Sequence, residues 1–88
     1  MTYEIRWSAA AQKAVERLPE KVATACVEFV YSGLAQNPRR VGRPLRFELV
    51  GLHSARRGDY RLVYLIDEEQ GSVTVMAVQH RADVYRPR

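Results

Sequence analysis

Arg56, Arg61 and His80 stand at spacings that strand pairing turns into a cluster. Gly58-Asp59 reads as a two-residue hairpin loop, so Arg57 opposes Tyr60 and Arg56 opposes Arg61. Glu68 to Gly71 reads as a four-residue loop. That sets Arg61 against Val78 and puts His80 on the same face, two residues along. Arg81 follows at the strand end, with Tyr85 a short reach beyond. Two arginines opposed at about 4.5–5.5 Å between Cβ atoms repel, unless an anion neutralises them or both splay into water. Only Asp59 and Asp83 are near enough to serve as internal partners, so a phosphate fits the cluster better. An RNA phosphodiester brings its own nucleophile, the 2′-OH. The protein need only align it, take its proton, stabilise charge on the phosphoryl oxygens and protonate the leaving 5′-oxygen. An imidazole such as His80 serves as acid or base, as does a phenol such as Tyr85 where positive charge lowers its pKa. The set therefore suffices for metal-free RNA cleavage, and equally for merely holding a phosphate.

The charge distribution points the same way. The chain of 88 residues has 14 basic and 10 acidic residues, a net +4. Residues 39–61 hold seven arginines (39, 40, 43, 46, 56, 57, 61) against Glu48 and Asp59, a net +5 with no lysine. Residues 81–88 add +2, and the remainder sums to −3. Generic solubility is served as well by lysine, whereas arginine makes forked contacts with phosphate oxygens. A polyanionic partner is expected.

Other classes are excluded by composition. Apolar residues at 47% and charged at 27% are those of a folded globular chain, and the length implies one domain over 1–88. The longest apolar runs, Leu62 to Ile66 and Val73 to Val78, are far short of the roughly 18–20 residues that cross a bilayer. The opening MTYEIRWS alternates polar and apolar residues, unlike a signal peptide. Cys26 has no partner for a disulfide and falls in an apolar helical stripe, where a buried thiol is expected. One cysteine with His53 and His80 offers no metal-ligand spacing. The expectation is a cytoplasmic protein without metal or cofactor.

The elements that must position the cluster follow from periodicity. Tyr3, Ile5 and Trp7 alternate with polar neighbours in a half-buried strand. Ser8 caps a helix through residues 9–18, with Ala11, Ala14, Val15 and Leu18 on one stripe. Pro19 separates it from a second helix to about Gln36, striped by Val22, Cys26, Val30 and Leu34, and Asn37-Pro38 stops that helix. Leu45, Phe47 and Leu49 mark a strand with one wet face. Further strands follow at His53 to Arg57, Tyr60 to Asp67 and Ser72 to His80. The tail 82–86 fits a helical turn or a short strand equally. The expected class is α+β: an N-terminal strand and helical hairpin packed on a twisted antiparallel β-sheet.

Residues 44–85 resemble the RelE/ParE superfamily, the toxins of type II toxin–antitoxin modules. The matches are SARRGDYRLVY and the closing HRADVY; W-S-x-x-A-x-x-x-V-x-x-L-P at the N-terminus extends the likeness to nearly the whole chain. The resemblance implies a RelE-like fold and, for RelE-like members, a ribosome-dependent endoribonuclease (mRNA interferase) that cuts mRNA in the ribosomal A site without metal, inhibiting translation. It places Arg61, Arg81 and Tyr85 in catalytic roles and His80 in a supporting or acid/base role. Arg56, Arg57, Arg46 and Arg43 then bind phosphate or RNA, and Arg39 and Arg40 extend the surface offered to the ribosome. Some members carry lysines where this chain has Leu52, His53 and Ser54.

ParE-like members share the fold but bind and inhibit DNA gyrase. The set Arg61, Arg81 and Tyr85 favours the nuclease branch over that alternative. The resemblance also implies an antitoxin partner, often acidic, wrapping the toxin with an amphipathic helix. The expected surfaces are the groove between helical hairpin and sheet edge, and the arginine-lined face.

Overall fold

The computed structural model describes residues 2–45 and 51–80. Five strands, β1 (Glu4–Trp7), β2 (Arg43–Pro44), β3 (Leu52–Arg57), β4 (Tyr60–Asp67) and β5 (Ser72–His80), form one sheet in the order β1-β5-β4-β3-β2. Helices α1 (Ala9–Glu16) and α2 (Glu20–Phe29) make the expected hairpin. The α+β class stands, with one difference: β1 runs parallel to β5, pairing Ile5 with Val73 and Trp7 with Val75, so the sheet is mixed rather than wholly antiparallel.

Local chemistry explains the breaks. Ser8 caps α1, its Oγ accepting from the Ala11 N–H at 3.0 Å, and Pro19 stands at the N-terminal boundary of α2. Beyond Phe29 the second helix widens over Val30–Leu34, where the Ala35 N–H reaches back five residues to the Val30 carbonyl. The second helix ends at Leu34, short of Asn37-Pro38 as expected, and Pro38 then starts a further turn, α3 (Pro38–Val41), because a proline needs no partner at a first helical position. Within the expected strand 45–49, residues 46–49 lie outside the described residues, as does the tail 82–86; the described strand there is the two-residue β2.

The stripes meet as their spacing demands. Ala11, Val30 and Leu34 from the helices pack on Ala55, Leu62, Tyr64, Val73 and Val75 from one face of the sheet. Leu62 and Leu34 are fully buried, each contributing about 1.5–3 kcal/mol of burial. Tyr64 donates its hydroxyl to the Pro38 carbonyl, seating α3 against the sheet. Among the described residues no helix is long and apolar enough to cross a membrane.

Candidate functional site

The first hairpin has the register read from its loop. Gly58, at φ 61°, makes the tight turn, and Arg57 pairs with Tyr60, Arg56 with Arg61. The second hairpin starts as expected, Asp67 opposite Ser72 and Tyr64 opposite Val75, and then slips. Val63 pairs with Ala77, which leaves Met76 as an extra residue, a β-bulge. The bulge has a cause. The backbone N–H of Ser8 donates to the Val75 carbonyl at 3.0 Å, and its hydroxyl donates to the Met76 carbonyl at 2.9 Å. The residue that caps α1 thus also satisfies the carbonyl displaced by the bulge.

That single residue corrects the expected cluster. Arg61 faces Gln79, not Val78, and His80 faces Tyr60. Side chains alternate, so Arg56, Arg61 and Gln79 share the face away from the helices, while Arg57, Tyr60 and His80 form a row on the helix side. His80 and Tyr60 meet edge to face at 5.0 Å. His80 therefore leaves the expected group, and so does Arg57, which lines a separate cleft with Cys26, Asp59 and Tyr60. Arg46, Arg81 and Tyr85 lie outside the described residues.

Arg43, expected among the phosphate contacts, lines the site with Arg56 and Arg61. It pairs with Ser54 on β3, and Arg43, Arg56 and Arg61 line one cavity of about 540 Å3 with Val41, Gly42, Ser54 and Ala55. Gly42 lets the chain pass tightly here: a Cβ would stand 2.5 Å from the Ser54 carbonyl oxygen and run into the Tyr64 hydroxyl. Among the described residues the ion pairs within 4.0 Å are Arg6–Glu4 and Arg39–Glu68, so no carboxylate neutralises the three cavity arginines. Arg61 is half-buried. Its Nη2 donates to Gln79 Oε1 at 3.0 Å, while its Nε is buried with no partner among the described residues. A buried donor without a partner costs about 1–3 kcal/mol, and a phosphate oxygen would relieve it.

The other singled-out groups are structural in character. Arg39 donates to Glu68 Oε2 at 2.9 Å, and Tyr3 donates to Glu68 Oε1 at 2.6 Å. Cys26 is buried, and burial pushes its thiol above the usual range, away from the reactive thiolate. Gln79, Ser54 and Gly42 had no sequence signal as site residues. Gln79 becomes visible only once the bulge at Met76 is known.

A helical hairpin on one face of a small mixed sheet, with Arg43, Arg56 and Arg61 gathered about one cavity and paired with no carboxylate among the described residues, defines a small α+β protein with a cationic face. Residues 5–85 match the family described as ParE toxin of type II toxin–antitoxin system, parDE, and the chain belongs to that family. Within the RelE/ParE superfamily it is of the RelE-like kind. It is 51% identical over 84 residues to Toxin RelE of Mycobacterium tuberculosis, covering 96% of this chain and 87% of that relative. It is 48% identical over 86 residues to Toxin RelG of the same organism, covering 98% and 99%. The fold matches a chain in the crystal structure of the Mycobacterium tuberculosis toxin–antitoxin complex RelBE2 with a TM-score of 0.88 at 44% identity, over 92% of this chain and 100% of that one.

Proposed function

We propose that this toxin is an endoribonuclease that cleaves mRNA on the ribosome, in the cytoplasm, with guanidinium groups rather than a metal ion stabilising the reacting phosphate. The observation that carries the reading is the convergence of Arg43, Arg56 and Arg61 on one cavity with no carboxylate to answer them among the described residues. A like-charge pair set directly across two strands is a standing destabilisation that an anion removes. The cavity, at about 540 Å3, has room for a nucleotide phosphate and its ribose.

In this reading the 2′-oxygen attacks phosphorus, the bond to the 5′-oxygen breaks, and a cyclic 2′,3′-phosphate and a free 5′-hydroxyl result. Charge grows on the phosphoryl oxygens as the new bond forms, and fixed guanidinium groups stabilise it there. Arg61, Arg56 and Arg43 hold the phosphate. Arg81 and Tyr85 enter by the resemblance, Arg81 as a further cation and Tyr85 as the proton-transfer group. His80 faces the other side of the sheet, so the mechanism gives it no contact with the phosphate.

The toxin acts with a cognate antitoxin, as the solved RelBE2 complex of its relative does. Two surfaces suit such a partner. One is the cleft beside the β1 edge, lined by Trp7, Val15, Val27 and Tyr31 among others; the second is the cationic open face. Affinity for an acidic partner on the second falls as salt rises. The deciding experiment maps mRNA 5′ ends after expression and scores plasmid supercoiling in the same cells. Cuts clustered within codons, with supercoiling unchanged, support the nuclease; altered supercoiling with intact message replaces it with a gyrase inhibitor.

A further inference from the structure

Among the described residues, the hydrogen-bond acceptor that holds Arg61 is a neutral carboxamide. We propose that Gln79 is the positioning residue of the site, a tether that aims the Arg61 guanidinium without neutralising it, delivered to that place by the bulge at Met76. The inference rests on the reading of the open face as a phosphate site, and it concerns how that site is set rather than what is cut.

Three observations carry it. A guanidinium has only donors, so the Gln79 oxygen must turn toward Arg61, and the amide nitrogen is left as a donor of the polarity an anion wants. A carboxylate in the same position would form a charge-assisted pair and compete with phosphate for the same N–H groups. Finally, the position is contrived. Without the extra residue, Val78 would face Arg61 and Gln79 would turn to the helix side. The bulge that prevents this is held by Ser8, 68 residues away in sequence. A bulge bonded across the fold to the start of α1 turns over the end of β5 from Ala77 to His80, and of those side chains Gln79 is the one that lands on Arg61.

The test uses the full chain and inorganic phosphate as probe, with binding followed through the Nε–Hε resonance of Arg61 and stability by thermal melting. In Gln79→Glu the melting temperature holds or rises, phosphate affinity falls by about tenfold or more, and the Arg61 resonance shifts before any phosphate is added. In Gln79→Met the charge stays free but unaimed, and affinity falls less, by about two- to fivefold. Phosphate binding by Gln79→Glu within twofold of wild type overturns the proposal. Should Gln79→Glu fail to fold, Gln79→Met decides, and an unchanged affinity there overturns it. A wild-type chain indifferent to phosphate also overturns it. RNA cleavage is scored separately from phosphate binding. A wild type that binds phosphate, shows the Gln79 effect and cuts no message retires the nuclease and keeps the tether. A cutting enzyme indifferent to Gln79→Glu does the reverse.

Discussion

Arg39 and Arg61 are the same residue in opposite circumstances. Arg39 meets a carboxylate, Glu68, whose other oxygen accepts from Tyr3; the three side chains pin α3, the β4–β5 turn and the chain just before β1 to one another. Among the described residues Arg61 meets only a carboxamide on one nitrogen and nothing on its buried Nε, and it stands opposite another arginine. One charge is closed within the chain and serves the fold. The other is held in place but left open, and a fold has no use for an open charge. Where a small basic protein leaves arginines unanswered is thus a better guide to its site than where its arginines are dense, since residues 39–40 are as dense as 56–57.

The largest effect expected from this contrast is at Arg61. Arg61→Ala should lower RNA cleavage by about 10²–10³-fold, the usual loss when one fixed group stabilising a developing oxyanion is removed. Stability should hold or rise slightly, because the repulsion with Arg56 goes with it. Single-turnover cleavage beside a urea melt separates the two. A variant that cuts at the wild-type rate would make Arg61 as structural as Arg39.

Next comes the seat of the closed side. Burial pushes the Tyr64 phenol up to about 12, from 10.0, and its hydroxyl holds the Pro38 carbonyl at the start of the turn that carries Arg39. A pKa raised on folding stabilises the neutral phenol, so this contribution is whole below pH 10 and disappears as pH climbs toward 12. Two units correspond to about 2–3 kcal/mol. Stability measured across that window should fall more steeply for wild type than for Tyr64→Phe, and equal slopes would remove Tyr64 from the account.

Gly42 joins the two sides, lying between the Tyr64 hydroxyl and the cavity of the three arginines. Gly42→Ala should cost about 1–3 kcal/mol by overpacking, with backbone rather than a flexible side-chain tip among the groups that must move. Denaturant titration checks this, and a neutral result would mean that β2 can shift outward without loss.

How much of this was legible in the sequence depended on whether a cause was local. The β3–β4 register was, because a two-residue loop with a glycine at positive φ leaves no other pairing. So were Ser8 as a cap and the stripe from Cys26 to Leu34. The β4–β5 register was legible only as far as the loop's influence reached, to Tyr64 and Val75; beyond it a bond from Ser8 decides, and nothing near Met76 announces that. Hence loop counting puts Arg56 and Arg61 together, as the structure does, but puts His80 on the wrong face. The parallel β1 pairing was hidden for the same reason, since alternation reveals a strand but not its neighbour. The stop before Pro38 is legible, but not the turn that Pro38 opens, because a proline that follows one helix and one that begins the next look alike in sequence.

The smallest effect tests the closed side directly. Accepting from the Tyr3 hydroxyl and then from Arg39 favours the charged form of Glu68, and holds its carboxyl below the ordinary 4.5. A depressed pKa contributes stability that is whole above the unfolded value and is lost as pH falls through the folded one, so the cost appears only on the acid side. Glu68 is exposed and its partners are solvated, which keeps the effect small and screened by salt. Melting temperature followed downward from pH 5 should therefore decline slightly more for wild type than for Glu68→Gln, and the gap should close in high salt. Arg61→Met offers the matching control: no carboxylate among the described residues answers to Arg61, so its removal should leave the acid-side profile parallel to wild type. A changed acid slope in that variant would mean that Arg61 is closed after all, and the contrast with Arg39 would be gone.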